Sequence, residues 1–268
     1  MTPALRKAFD GHRDERAQEL FDIASILDKE GLTPDNGPIL QAAAQCRSAF
    51  KRVPIGAPDA GRHYWGFEIA DLRIKLEKQR HLRPRSAVMD ECFGLLSVVV
   101  QEYVPDDENG IGRSYELLRQ ASVDFHLDAF QEIDGVRHNL RTAWHIDTHS
   151  YVDTPSHGAH PRFHFQVGGE RLDEIDANIR GVLMPETPRM PCAPLDAILA
   201  VDFVLAHYCG DQWNLLKDLV PSYLRLRKTP LQRYWSPYFR TLAEGIDSLD
   251  TVAGGGDAST LIPNISCG

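Results

Sequence analysis

The chain has 268 residues, 43% of them hydrophobic and 25% charged, with 38 acidic against 29 basic side chains and a formal charge of -9. Ordinary hydrophobicity, with 20 Gly and 17 Pro in no period, excludes a wholly disordered, collagen-like or coiled-coil chain. The length suits one large domain or a domain with a helical extension, and the acidic balance argues against a large, general nucleic-acid surface.

The first third reads as helical. Leu20, Ile23, Ala24 and Leu27 recur at i, i+3, i+4 and i+7, which predicts a helix ending near Gly31. Ile39, Leu40, Ala43 and Ala44 predict a second helix over about 38–50. After a Gly/Pro loop, residues 65–76 fit a helix slightly better than a strand. Residues 1–85 are therefore expected to form an N-terminal helical region, a scaffold or partner surface without chemistry of its own. The basic stretches at 78–85 and 225–228 read as solvated faces.

Strands are expected from residue 86 to 190. The apolar run 92–104 is rich in β-branched residues and is read as a strand, with helix as the alternative. Three alternating segments follow at 122–129, 139–147 and 161–167, the first two joined by turn residues Asp134 and Gly135, and 181–184 is a further candidate. Helix returns at 191–247. Pro194 suits a first helical position ahead of an apolar run that ends at Cys209 and Gly210, and aromatic-rich segments at 213–226 and 231–246 follow. Residues 248–268 are Gly/Ser-rich and are expected to be a mobile tail. The predicted fold class is α+β: N-terminal helices, a central antiparallel β-meander of about four strands, then C-terminal helices.

Five cysteines (Cys46, Cys92, Cys192, Cys209, Cys267) lie far apart without CxxC spacing, which fits neither a disulfide framework nor a zinc ribbon. The N-terminal residues carry no apolar signal core, and no run approaches 18 apolar residues, so no membrane span and a cytoplasmic location are expected. No nucleotide-cofactor motif is present.

Seven of the 11 histidines fall between His126 and His164. Period-two alternation assigns Val123, Phe125, Leu127, Leu140, Thr142, Trp144, Ile146, Phe163, Phe165 and Val167 to a core face. It assigns Asp124, His126, Asp128, Arg141, His145, Asp147, Arg162, His164 and Gln166 to the other. A solvated sheet face usually carries Lys, Glu, Thr and Ser, whereas this one has His, Asp and Arg and no lysine. Histidine can exchange a proton near neutral pH, aspartate can orient an imidazole or ligate a metal, and arginine can hold a phosphate. His145 and His164 are thus candidate acid and base, Asp147 and His126 further catalytic candidates, and Arg141, Arg162 and Arg189 candidate substrate ligands. His145, Asp147 and His164 equally form a candidate metal triad for Zn, Mn or Mg, with His160 reaching in from the loop. His149 and His157 are accessory and His138 a surface residue. Asp202, on an apolar helix, is expected to pair with an arginine in the core. Cys192 is expected to be an inert thiol, and Tyr234, Trp235, Tyr238 and Phe239 to be packing aromatics.

Residues 144–169 resemble the His/Asp-rich core of TumE-type toxins of bacterial toxin–antitoxin modules. That resemblance implies a nucleic-acid-directed activity in which His145, Asp147, His160 and His164 inherit the active-site role. His145–Ile146–Asp147 is also similar to the HxD half of an iron and 2-oxoglutarate oxygenase site, for which His207 is the next histidine after the cluster. The order of helix, meander, Cys192 loop and helix resembles ubiquitin-conjugating enzymes, a fold-level analogy alone. The leading functional expectation is a hydrolase of a phosphodiester or related bond, a nuclease-like effector of a bacterial defence or toxin module acting on nucleic acid. The rival is a non-catalytic subunit that binds a protein partner through its helical flanks and keeps a structural or vestigial histidine face.

Overall fold

In a computed structural model of the chain, the described residues are 2–54, 60–77, 86–89, 92–106, 114–148, 162–168, 170–172 and 190–249. Helix α1 (Pro3–Lys29) starts at a Thr2 cap, whose Oγ1 accepts from the Leu5 amide at 3.1 Å, and stops ahead of Gly31 at φ +64°. Its predicted stripe Leu20, Ile23, Ala24 and Leu27 is buried. Helix α2 (Gly37–Cys46) ends earlier than the sequence suggests.

The sheet holds seven strands rather than about four, all antiparallel and in chain order. They are β1 (Lys51–Arg52), β2 (His63–Lys75), β3 (Phe93–Tyr103), β4 (Leu118–Ile133), β5 (Val136–Thr148), β6 (Phe163–Val167) and β7 (Met190–Pro191). A short helix α3 (Ser114–Leu117) leads into β4. Residues 63–75 are a strand, not a helix, and the reason is a bulge. Trp65, Phe67 and Ile69 alternate inward, the register slips between Ile69 and Leu72, and Leu72 and Ile74 resume the inward phase. The resulting three-residue step in the apolar pattern imitates a helical repeat. Asp71 adopts φ +48° in the bulge, where Ser97 Oγ accepts from its amide at 3.0 Å. The β4–β5 hairpin turns on Asp134 (φ +52°) and Gly135 (φ +77°), with Ile133 opposite Val136, a two-residue turn needing positive φ at both positions. The candidate strand at 181–184 lies outside the described residues, as does the tail from 250 onward.

The C-terminal segment forms α4 (Ala197–Tyr208), α5 (Gly210–Leu219), α6 (Pro221–Pro230), a π-helical turn at Leu231–Trp235, and α7 (Ser236–Leu249). Helix α4 starts three residues after Pro194, because the Asp196 carboxylate caps the Leu199 amide at 3.0 Å. Pro221 opens α6 and divides the expected 213–226 segment. No helix of the described residues is long and apolar enough to cross a membrane.

Helices cover one sheet face. Phe125 stacks on Tyr208 at 4.7 Å between centroids, Trp144 meets Phe203 edge-on at 5.1 Å, and Trp144 Nε1 donates to Tyr208 Oη at 3.0 Å. Within this core sits a charged network that joins α1, β3, α4 and the π-helical turn. Arg16, 2% exposed, donates to Glu19 at 2.6 Å and to Asp196 at 2.8 Å, and Arg233 grips the other side of Glu19 at 2.5 and 3.0 Å. Glu102, 1% exposed, accepts from Tyr234 Oη at 2.6 Å and lies 3.1 Å from His12 Nε2. Burial pushes the Glu102 carboxyl up, but His12, Arg16 and Tyr234 together outweigh it and hold the group down at about 2.

A carboxylate held low stabilises the fold above its unfolded value of 4.5, and that contribution is lost as pH falls toward 2. Glu102 accordingly contributes on the order of 3 kcal/mol at neutral pH. Urea unfolding between pH 5 and 2 should show this loss, and Glu102→Gln should flatten the dependence. Arg16→Met, which strands Asp196 without its cation, should cost about 3–5 kcal/mol in the same assay.

Candidate metal centre

Strand register builds the second face of the sheet. Leu96, Val98 and Val100 of β3 point to the helices, so Leu95, Ser97 and Val99 point away, and pairing carries that face across the neighbouring strands. One rung reads Ser97, Asp124, His145, Gln166, and another pairs Asp147 with His164 and His164 with Pro191. The predicted alternation of Asp124, His126, Asp128, Arg141, His145, Asp147, His164 and Gln166 onto a common face is therefore correct. This face is not simply solvated. His164 is 1% exposed, and His126 and Gln166 are 6% each.

Three side chains converge on it. One imidazole nitrogen each from His145 and His164 and one carboxylate oxygen of Asp147 all lie within 4.8 Å of one another. The imidazoles sit edge to face, 87° apart with centroids 5.9 Å apart. Asp147 Oδ2 is 3.5 Å from His145 Nε2, while Oδ1 accepts a 2.6 Å hydrogen bond from Ser122 Oγ on β4. The carboxylate is thus anchored through one oxygen and presents the other to the histidines. Two imidazoles and one carboxylate suit Zn²⁺ or a non-haem Fe²⁺, and three protein ligands leave coordination positions open for water or substrate.

The other predicted residues fall elsewhere. His126 stands opposite Ala143 and Leu95, in a different rung, and is not part of the converging group. Arg141 is engaged by Asp128 at 2.5 and 2.8 Å and also donates to the Arg171 carbonyl at 3.1 Å. That bidentate bond outweighs burial and holds the Asp128 carboxyl below its ordinary value. Four residues of strand, about 13 Å, separate Arg141 from His145. Arg162 donates to the Tyr115 and Leu118 carbonyls at 3.4 and 3.3 Å, so its guanidinium is directed to backbone at the start of β4. Arg189, His160, His149 and His157 lie outside the described residues.

Burial raises the Cys192 thiol to about 12, and the Asp147 charge adds to the effect, as expected for an inert thiol. Asp202 pairs with Arg227 at 2.8 Å and accepts from Trp213 and Tyr223, so the expected arginine partner is present, but the pair is half-buried rather than in the core. Ser122 is the site residue that sequence reasoning passed over. The signal was available: it sits two before Asp124 on an alternating strand, and its side chain is the one short enough to anchor a neighbouring carboxylate without entering the cluster.

Fold and site together define an α+β protein with helices on one sheet face and a two-histidine, one-carboxylate cluster on the other. Comparison with protein-family models, with curated proteins and with solved structures returned no match.

Removing the anchor should loosen the carboxylate without dismantling the sheet. Ser122→Ala should weaken binding of one equivalent of Zn²⁺ by about 10–100-fold in a competition titration, at unchanged circular dichroism. Affinity equal to that of the wild type would show that the 2.6 Å hydrogen bond does not position Asp147.

Proposed function

We propose that the chain is a metal-dependent hydrolase of a phosphodiester or related bond, with His145, Asp147 and His164 as the metal ligands. The observation that carries this reading is the convergence of two imidazoles and one carboxylate from adjacent strands, a set that leaves open coordination positions. A divalent ion bound there would polarise a phosphoryl oxygen and lower the pKa of a bound water. Ser122 holds Asp147 in place, and the β5–β6 pairing fixes the spacing of the histidines. With His145 and His164 engaged as ligands, His126, one rung further along the same face, is the further candidate to move a proton. The nuclease form of the reading, an effector of a bacterial defence or toxin module, draws on the resemblance of residues 144–169 to TumE-type toxins.

One observation favours a second reading. His164 stands opposite Asp147 on the adjacent strand, so His145, Asp147 and His164 also compose the ligand set of an iron-dependent oxygenase, with the distal position taken by His164 rather than His207. His207 lies on α4 and its Nδ1 sits 2.7 Å from the Phe203 carbonyl.

Elemental analysis of the purified protein, followed by incubation with RNA, DNA and a small activated phosphodiester in Mg²⁺, Mn²⁺ and Zn²⁺, tests the proposal. Cleavage should require metal, and His145→Ala and Asp147→Ala should each lower it by at least about 100-fold. Iron content with turnover of 2-oxoglutarate would favour the oxygenase. A protein that binds no metal and cleaves none of these substrates would leave the non-catalytic subunit standing.

A further inference from the structure

The face that carries the histidine cluster also carries a basic and aromatic patch at one end of the sheet. Tyr64 of β2 stands opposite Tyr103 of β3 and Lys51 of β1, which places all three on one rung of that face. Two guanidinium groups lie on the two rings: Arg119 at 4.7 Å from the Tyr64 centroid and Arg62 at 3.9 Å from that of Tyr103. Gln101 keeps Arg119 in place by accepting from its Nη1. The β2 neighbour of Gln101 is Gly66, where a Cβ would clash with the Val100 carbonyl oxygen and meet Gln101 Cγ at 3.0 Å.

Three cations in so small an area stand out in a chain of net charge -9. Along β2 the first acidic side chain on this face, Glu68, is four residues from Tyr64, and β3 contributes none. The patch lies toward the end of the sheet where β5 gives way to β6. From the rung holding Val99 and Ser122 it is roughly 13 Å along the strands, and its two tyrosines stand two to four strand spacings, about 10–19 Å, across them from the cluster.

We propose that this surface, formed by Lys51, Arg62, Tyr64 and Arg119 with the buried ring of Tyr103 as the support beneath Arg62, binds single-stranded nucleic acid and feeds it to the His145/Asp147/His164 centre. The inference rests on the hydrolase reading and names its substrate class. Cations placed along a groove neutralise phosphates, and guanidinium planes stacked on tyrosines offer flat partners to unpaired bases. A duplex keeps its bases stacked and can use only the cations. The separation between patch and cluster matches a strand that crosses several β-strands in extended form, with one segment anchored while another is cut. An acidic peptide could meet the charges but has no planar groups for the tyrosine and guanidinium stacks.

Fluorescence anisotropy in EDTA, where cleavage cannot occur, tests the surface directly. Labelled single-stranded RNA and DNA oligonucleotides should bind more tightly than a duplex of the same sequence or a poly-glutamate peptide. Arg62→Gln and Arg119→Gln should each weaken single-strand binding about tenfold and lower the salt slope by about 0.7. Arg119→Lys should recover the salt slope but only part of the affinity, since the charge returns without the stack. No binding at low salt, equal binding of the peptide, or an unchanged affinity in the Arg62→Gln/Arg119→Gln double variant would overturn the proposal. The two levels fail separately. If that double variant and the wild type hydrolyse the small phosphodiester equally while neither binds nucleic acid, the surface is wrong and the metal centre stands. If single strands bind as predicted and no substrate is ever cleaved, the hydrolase reading fails instead.

Discussion

Antiparallel pairing of β5 with β6 sets Asp147 opposite His164 and His145 opposite Gln166, and the convergence of His145, Asp147 and His164 depends on that register. Because side chains alternate with a period of two, a slip of one residue would turn His164 toward the helices and carry Phe163 or Phe165 to the polar face. The slip is resisted on the other side of the sheet. Phe163 and Ile146 are buried in the core, and Phe165 packs beside Trp144 at 5.8 Å. Apolar burial on one face thus determines where the ligands stand on the other. The site needs no long loop excursion to bring its first three groups together.

The helical layer makes that division of labour stable. Arg16, Glu19, Asp196, Arg233, Glu102, His12 and Tyr234 form a buried network whose members come from α1, β3, the start of α4 and the π-helical turn. Close apolar packing already resists sliding of the helices on the sheet. Charged partners with fixed geometry penalise any such shift, because a misplaced member becomes an unpaired buried charge. Asp196 both closes the network and caps α4, so the orientation of that helix is tied to α1. These groups thus serve the packing of the helices on the sheet.

Much of this arrangement was legible in the sequence, and the failures have physical causes. The alternation in β4, β5 and β6 assigned the two sides of the sheet, but Thr142 and Val167, expected in the core, are exposed and Leu140 is half-buried, because the helices do not cover those ends of β5 and β6. The stretch at β2 misled, since a bulge between Ile69 and Leu72 inserts a step of three into a period of two. The central network was invisible: Arg16 and Glu19 look like ordinary surface charges of a polar helix, and their partners lie some 180 and 214 residues away. The described arginines near the histidines in sequence are engaged within the fold. Arg141 belongs to Asp128, and Arg162 to two backbone carbonyls. Arg62 and Arg119, which lie over aromatic rings of the polar face as Arg73 and Arg137 also do, come from segments without any motif, and only strand pairing brings them together.

The central claim is that His145, Asp147 and His164 hold a metal ion, and the most direct measurement is zinc-edge X-ray absorption of the protein loaded with one equivalent of Zn²⁺. Binding by this triad should give two imidazole nitrogens at about 2.0–2.1 Å with oxygen ligands completing the shell, and a loss of one imidazole in His164→Ala. A spectrum of hydrated zinc without imidazole scattering, or one with sulfur at about 2.3 Å, would contradict it.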